Sequence, residues 1–199
     1  MLIVQNLLVL QNKPEVDEIS LQTIAEFYHK YLCGMQYFFE LRHSQRELRL
    51  RFKPGDLCHL LGIHYVLKGS ENVGEKGFEK LMVGTNTFKT LREANLGEYE
   101  DKLYRMLYFP FVYQLVRNPT IVANDPHDQS LVRAQFSFVN GHDKHFVELK
   151  LRRENITNPN FYVPVSFAES SRIKNRVPIT IQQKAILGYD DGYVHGSRA

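Results

Sequence analysis

Between Ile19 and Phe52 the spacing of apolar residues changes once, and that change restricts the chain to folds that join helix and sheet. Ile19, Leu21, Ile24, Ala25, Tyr28 and Leu32 recur at three and four residues, which puts them on one face of a helix. Ser20 stands where a side-chain cap satisfies free amides, and Gly34 stands where a helix stops. From Met35 the period becomes two. Met35–Arg42 and Glu47–Phe52 flank His43–Arg46 and read as a β-hairpin. Leu48, Leu50 and Phe52 then face one way and Arg49, Arg51 and Lys53 the other, so the sheet has one apolar and one basic face.

Downstream, Pro54 suits a first helical turn and Asp56 the positive end of its dipole. Leu57, Leu60 and Leu61 supply a buried stripe, and Gly62 ends the short helix. A glycine-rich loop is expected over Lys68–Gly77, then helices over Phe78–Val83, Phe88–Ala94 with Thr87 as cap, and Glu98 to about Tyr108. The segment after Pro110 fits a short helix or a strand. Beyond Asn118 the character is β, with strands expected over Thr120–Ala123, Ser130–Val139, Lys144–Leu151 and Phe161–Phe167. Asn140-Gly141 is a tight-turn dipeptide that would join the middle two. The class is α+β: N-terminal helices and a hairpin, then an antiparallel β-sheet. With no repeat and no low-complexity linker, residues 1–187 read as one domain and residues 188–199 as a flexible tail.

Composition narrows the function classes. A chain of 199 residues with 43% hydrophobic and 24% charged residues buries a real core. Its two cysteines, Cys33 and Cys58, are too few for a disulfide framework and read as reduced, buried thiols, which places the protein in the cytoplasm. Met1–Leu10 is apolar yet too short to span a bilayer, and it lacks a basic start and a cleavage site. It reads as a packed element or as an interface, such as a homodimer through residues 1–10. The net charge of +3 permits a polyanionic partner without requiring one.

No Walker loop, Gly-x-Gly-x-x-Gly, His-Glu-x-x-His or Gly-x-Ser-x-Gly occurs, which removes the usual support for nucleotide, zinc-protease and serine-hydrolase chemistry. His59 and His64 lie five residues apart across Gly62, so they are expected on different helical faces and make a poor metal pair. Beside Leu60 and Leu61, His59 suits either a structural histidine or a general acid or base.

Phe52-Lys-Pro-Gly-Asp-Leu-Cys-His-Leu-Leu-Gly-Ile-His64 resembles the helix with His, followed by Leu-x-Gly, of the phage-type Barnase–EndoU–colicin–RelE-like (BECR-fold) nucleases. Gly77-Phe-Glu-Lys80 and Thr87-Phe-Lys-Thr-Leu91 resemble that family's helical pair, and Tyr162-Val-Pro-Val-Ser-Phe167 its terminal strand. The resemblance implies a small α+β nuclease that cleaves RNA without metal or cofactor, by attack of the ribose 2′-OH on the neighbouring phosphate. His59 would be the base or acid, Ser166 a phosphate contact or proton shuttle, and Lys80 the cation for the developing charge. Arg133, Lys150 or Arg152 would serve as that cation from the sheet instead. Arg49, Arg51 and Lys53 would join them in gripping RNA, with Tyr162 stacking a base. A toxin-type or phage-type enzyme of this kind implies an immunity protein or antitoxin as partner.

Each residue also has a structural role open to it. Lys80 fits a solvated helix cation, Ser166 a solvent-facing hydroxyl between Val165 and Phe167, and Tyr162 a core ring. The same fold also suits a catalytically inactive module that binds RNA or protein.

Overall fold

The computed structural model describes residues 1–42, 46–124, 133–142, 145–155, 158–170 and 178–188. The hairpin tip at 43–45, residues 130–132 of an expected strand and the tail at 189–199 lie outside them. At the N-terminus a 3₁₀ helix, Val4–Val9, buries Leu7 and leaves Met1, Ile3 and Val9 exposed.

The Ser20 hydroxyl accepts from the Thr23 amide at 3.0 Å and starts α1 (Leu21–Tyr31), whose Leu21, Ile24, Ala25, Phe27 and Tyr28 are buried. β1 (Met35–Leu41) and β2 (Arg46–Arg51) form the expected antiparallel hairpin, with Tyr37 opposite Leu50 and Phe39 opposite Leu48, all four inside. A 3₁₀ turn, Pro54–Asp56, leads into α2 (Leu57–Leu61). Gly62 ends it at φ 77°, ψ 16°, a left-handed conformation, and α3 (Ile63–Val66) restarts at once.

The next helix corrects the expected loop. α4 (Gly74–Met82) begins one turn before Phe78, and the loop contracts to a 3₁₀ turn at Ser70–Asn72. Glycine makes this compaction possible. A Cβ on Gly77 would lie 2.6 Å from the Asn72 carbonyl carbon and oxygen and 2.8 Å from the Cys58 sulfur. α5 (Phe88–Ala94) has the Thr87 cap, and α6 (Leu96–Tyr108) starts from Asn95, whose side chain accepts from the Glu98 amide at 3.2 Å. Pro110 sits in a 3₁₀ turn, Phe109–Phe111, that passes into α7 (Val112–Arg117), so the segment after it is helical.

β3 (Thr120–Ala123), β4 (Phe136–His142), β5 (His145–Asn155), β6 (Asn158–Ser170), β7 (Pro178–Ile179) and β8 (Ile181–Gly188) complete the sheet. Among the described residues it has eight strands in the order β7-β3-β4-β5-β6-β2-β1-β8. The α+β class holds, with one departure from an antiparallel sheet: β2 and β6 pair in parallel, Arg49 with Phe161 and Leu50 with Tyr162. Asn140 and Gly141 belong to β4, opposite Val147 and Phe146, rather than to the turn. The apolar register of Phe138 on Leu149 carries the ladder past them. β8 was not legible in the sequence. It pairs along β1 from Met35 to Leu41 yet keeps most of its side chains exposed, so it lacks an alternating apolar pattern.

The core lies between helices and sheet. Tyr28 of α1 packs on Phe52, Phe78 and Phe109, with centroids at 5.9, 6.3 and 5.8 Å, and Phe109 packs on Phe167 of β6 at 5.7 Å. No helix among the described residues is long and apolar enough to cross a membrane.

Candidate active site

The parallel ladder between β2 and β6 is short. After Leu50 and Tyr162 the two strands part, because Pro54 turns the chain out of β2 into the 3₁₀ turn and α2. α2 then packs beside the later half of β6. A cleft of about 530 Å³ lies at this divergence, walled by Gly55, Asp56 and His59 on one side and Val163–Ser166 on the other. Tyr65, Arg105 and Arg152 complete the lining.

β6 carries a bulge here. Lys150 pairs with Ser166 and Leu151 with Pro164, which leaves Val165 without a partner on β5. The Val165 carbonyl takes its hydrogen bond from His59 Nε2 at 3.0 Å. A carbonyl only accepts, so Nε2 carries the proton and Nδ1 is the basic atom of the neutral ring. His59 is exposed to the cleft, and its ring stacks on His64 with centroids 4.5 Å apart and an interplanar angle of 22°. The expectation of separate helical faces is corrected by Gly62: the left-handed break folds α3 back so that the two imidazoles meet.

Asp56 takes the Lys53 amide on Oδ2 at 3.0 Å. Burial pushes its carboxyl above the usual carboxylate range, against the bond from Lys53. Burial also holds His64 below the ordinary histidine value, reinforced by charge on His59 and by Arg105 and Lys68. Arg105 comes from α6, with Nε donating to the Tyr104 hydroxyl at 3.3 Å, and Arg152 comes from β5. Neither arginine is ion-paired among the described residues. The cleft lining thus combines an imidazole, a serine, a shielded carboxyl and two arginines. Such a set can move a proton and stabilise a growing negative charge.

His59, Ser166 and Arg152 meet in this cleft. Lys80 does not line it; its ammonium donates to Asn72 Oδ1 at 3.0 Å, and Asn72 in turn donates to the Lys68 carbonyl at 2.9 Å. On the outer face of β2, Arg49 pairs with Glu47 at 2.7 Å and lies 5.7 Å from the Phe161 ring. Arg51 and Lys53 both bond Glu154, the latter at 2.5 Å. Tyr162 is buried, 3% exposed, against Phe136 at 5.4 Å, and offers no face to a base. Lys150 is half-buried opposite Ser137 and Ser166, and Arg133 is exposed at φ 45° outside the cleft lining.

Asp56, Tyr65 and Arg105 were not marked as site residues by the sequence. Asp56 reads as a helix-start acid, and nothing local distinguishes Tyr65 or Arg105 from surface side chains. Cys58 is buried as expected but Cys33 only half-buried, and burial pushes both free thiols up to about 12. Among the described residues no three His, Cys, Asp or Glu side chains group to hold a metal ion.

A helical layer on a mixed sheet, with a histidine and two arginines where α2 meets β6, is an arrangement that fits nuclease chemistry. The family described as phage-Barnase-EndoU-ColicinE5/D-RelE like nuclease4 matches residues 20–196, and the chain belongs to it. No curated protein and no solved structure matches.

Proposed function

We propose that this cleft cleaves RNA by metal-independent transesterification. The observation that supports it most is the position of His59, with Nε2 held by Val165 and Nδ1 as its basic atom, beside two arginines that carry no ion pair among the described residues. Nδ1 takes the proton of the ribose 2′-OH as the 2′-oxygen bonds to phosphorus. The bond from phosphorus to the 5′-oxygen breaks, that oxygen takes a proton from water, and the proton held at Nδ1 passes back to solvent. The products are a 2′,3′-cyclic phosphate and a 5′-hydroxyl. Arg105 and Arg152 balance the charge on the pentavalent phosphorus, a role these residues fill better than Lys80, and Ser166 contacts a phosphate oxygen.

The test compares an RNA and the DNA of the same sequence with the purified protein in chelator. Cleavage of RNA alone, lost in His59→Ala, is expected. No cleavage of any RNA would sink the enzyme reading.

One observation favours a second reading. The bond to Val165 is also what a structural histidine makes, so an inactive RNA- or protein-binding module on the same fold is the alternative. Salt-dependent RNA binding without turnover would identify it. On the enzymatic reading the protein is a toxin- or phage-type nuclease of the cytoplasm, restrained by an immunity protein or antitoxin. The exposed Met1, Ile3 and Val9 support self-association through residues 1–10. Toxicity on expression, relieved by His59→Ala, supports the first point, and a dimer lost on deleting residues 1–10 the second.

A further inference from the structure

Gly62 lets α2 and α3 meet at an angle that a residue with a Cβ resists: at φ 77° the added atom would also press the Lys102 stem at 3.2 Å. The result is a row of rings, with His59 on His64 at 4.5 Å and His64 on Tyr65 at 4.0 Å. His64 is half-buried, and its Nδ1 is shielded with no hydrogen-bond partner among the described residues. The charged groups that act on it most strongly are His59 from α2, Arg105 from α6 and Lys68 beyond α3, all cationic when charged, while the Asp56 carboxyl acts on His59 from the turn before α2. A hydrogen bond to the Cys58 backbone acts the other way, toward the charged form. Lys102 of α6 lies over the outer ring of the row, Tyr65, at 4.8 Å. A proton on His64 would therefore be shielded from water and would meet the cationic groups around it, which the Cys58 backbone offsets only in part.

We propose that His64 is a positioning residue: as a neutral, half-buried ring it fixes the plane of the His59 ring by stacking. In its activity arm this rests on the proposed cleavage; in its structural arm it does not. Stacking holds one face of His59 while Val165 holds its Nε2 edge, so Nδ1 is the ring atom left to meet substrate. A free imidazole would swing about two side-chain torsions and spend less time in register with a 2′-OH.

The experiment follows the histidine ring Cε1–H signals of the intact protein by NMR across about pH 5 to 8, the range of an ordinary imidazole. His64 is expected to stay neutral there, and in His59→Ala it is expected to titrate at higher pH than in the parent. His64→Phe keeps a stacking ring without a proton. Where the parent cleaves RNA, it should preserve kcat and the pH profile. His64→Ala should lower kcat about tenfold or more with KM little changed, the sign of lost orientation. A His64 that charges within that range in the parent, or whose titration does not move in His59→Ala, would overturn the proposal. So would full kcat in His64→Ala. If the parent cleaves no RNA, the functional reading fails and the NMR result still decides whether His64 is the neutral ring of the stack. If His64→Ala does not fold, His64→Phe and the parent titration decide it.

Discussion

His59 of α2 donates from Nε2 to the Val165 carbonyl of β6 at 3.0 Å, closing the gap where β2 leaves its parallel partner. One bond therefore ties the helix to the sheet and sets which ring nitrogen is basic. His59→Gln separates these roles, because the glutamine amide can still donate to Val165 but cannot take a proton at neutral pH. The thermal midpoint should stay close to the parent's while cleavage falls by about 10²- to 10⁴-fold, the worth of a general base. Equal cleavage by His59→Gln would remove His59 from proton transfer.

Arg105 and Arg152 face the cleft without ion pairs among the described residues, whereas Arg51 and Lys53 share Glu154. Removing a phosphate-binding cation lowers the salt dependence of single-strand binding by about 0.7 in slope for each phosphate that is no longer neutralised. Arg105→Ala and Arg152→Ala should each show that decrease in titrations at several salt concentrations. Arg51→Ala should leave the slope nearly unchanged.

Lys80 and Asn72 hold the compact turn before α4. Lys80→Ala should lower stability by about 1 kcal/mol, the net worth of a partly exposed hydrogen bond, with cleavage near the parent's rate. Denaturant unfolding and an RNA assay on the same preparation check both halves.

Gly77 admits no side chain, since its Cβ would lie 2.6 Å from backbone atoms of Asn72 that cannot swing aside. Gly77→Ala should destabilise by about 3 kcal/mol or force α4 away from α2. Chemical denaturation measures the change.

Glu154 gives a pH signature. Burial alone would raise its carboxyl, but the bonds from Lys53 and Arg51 overcome that and hold it below the usual range. The unfolded chain then binds the proton more tightly, so this stabilisation is present at neutral pH and lost as pH falls through the folded-state value. Glu154→Gln should melt below the parent at neutral pH, and the difference should shrink below about pH 4, the ordinary carboxylate range.

The sequence by itself determined the local elements. Ser20, Thr87 and Gly62 mark helix ends through caps and a left-handed turn, and the alternation of Leu48 and Leu50 with Arg49 and Arg51 marks a hairpin face; these signals lie within a few residues. The Phe52–His64 stretch likewise carried its family resemblance locally, and it drew attention to His59. What only the tertiary structure decided spans long separations. The parallel pairing of β2 with β6 brings Leu50 beside Tyr162, and β8 reaches back to β1 with few buried side chains to announce it. Arg105 enters from α6 and Arg152 from β5, while Lys80 is held away by Asn72. Periodicity reports which face of an element is buried, but not which distant face will meet it. The cleft exists because a proline turns one strand out of a ladder that the other continues, a juxtaposition that packing creates.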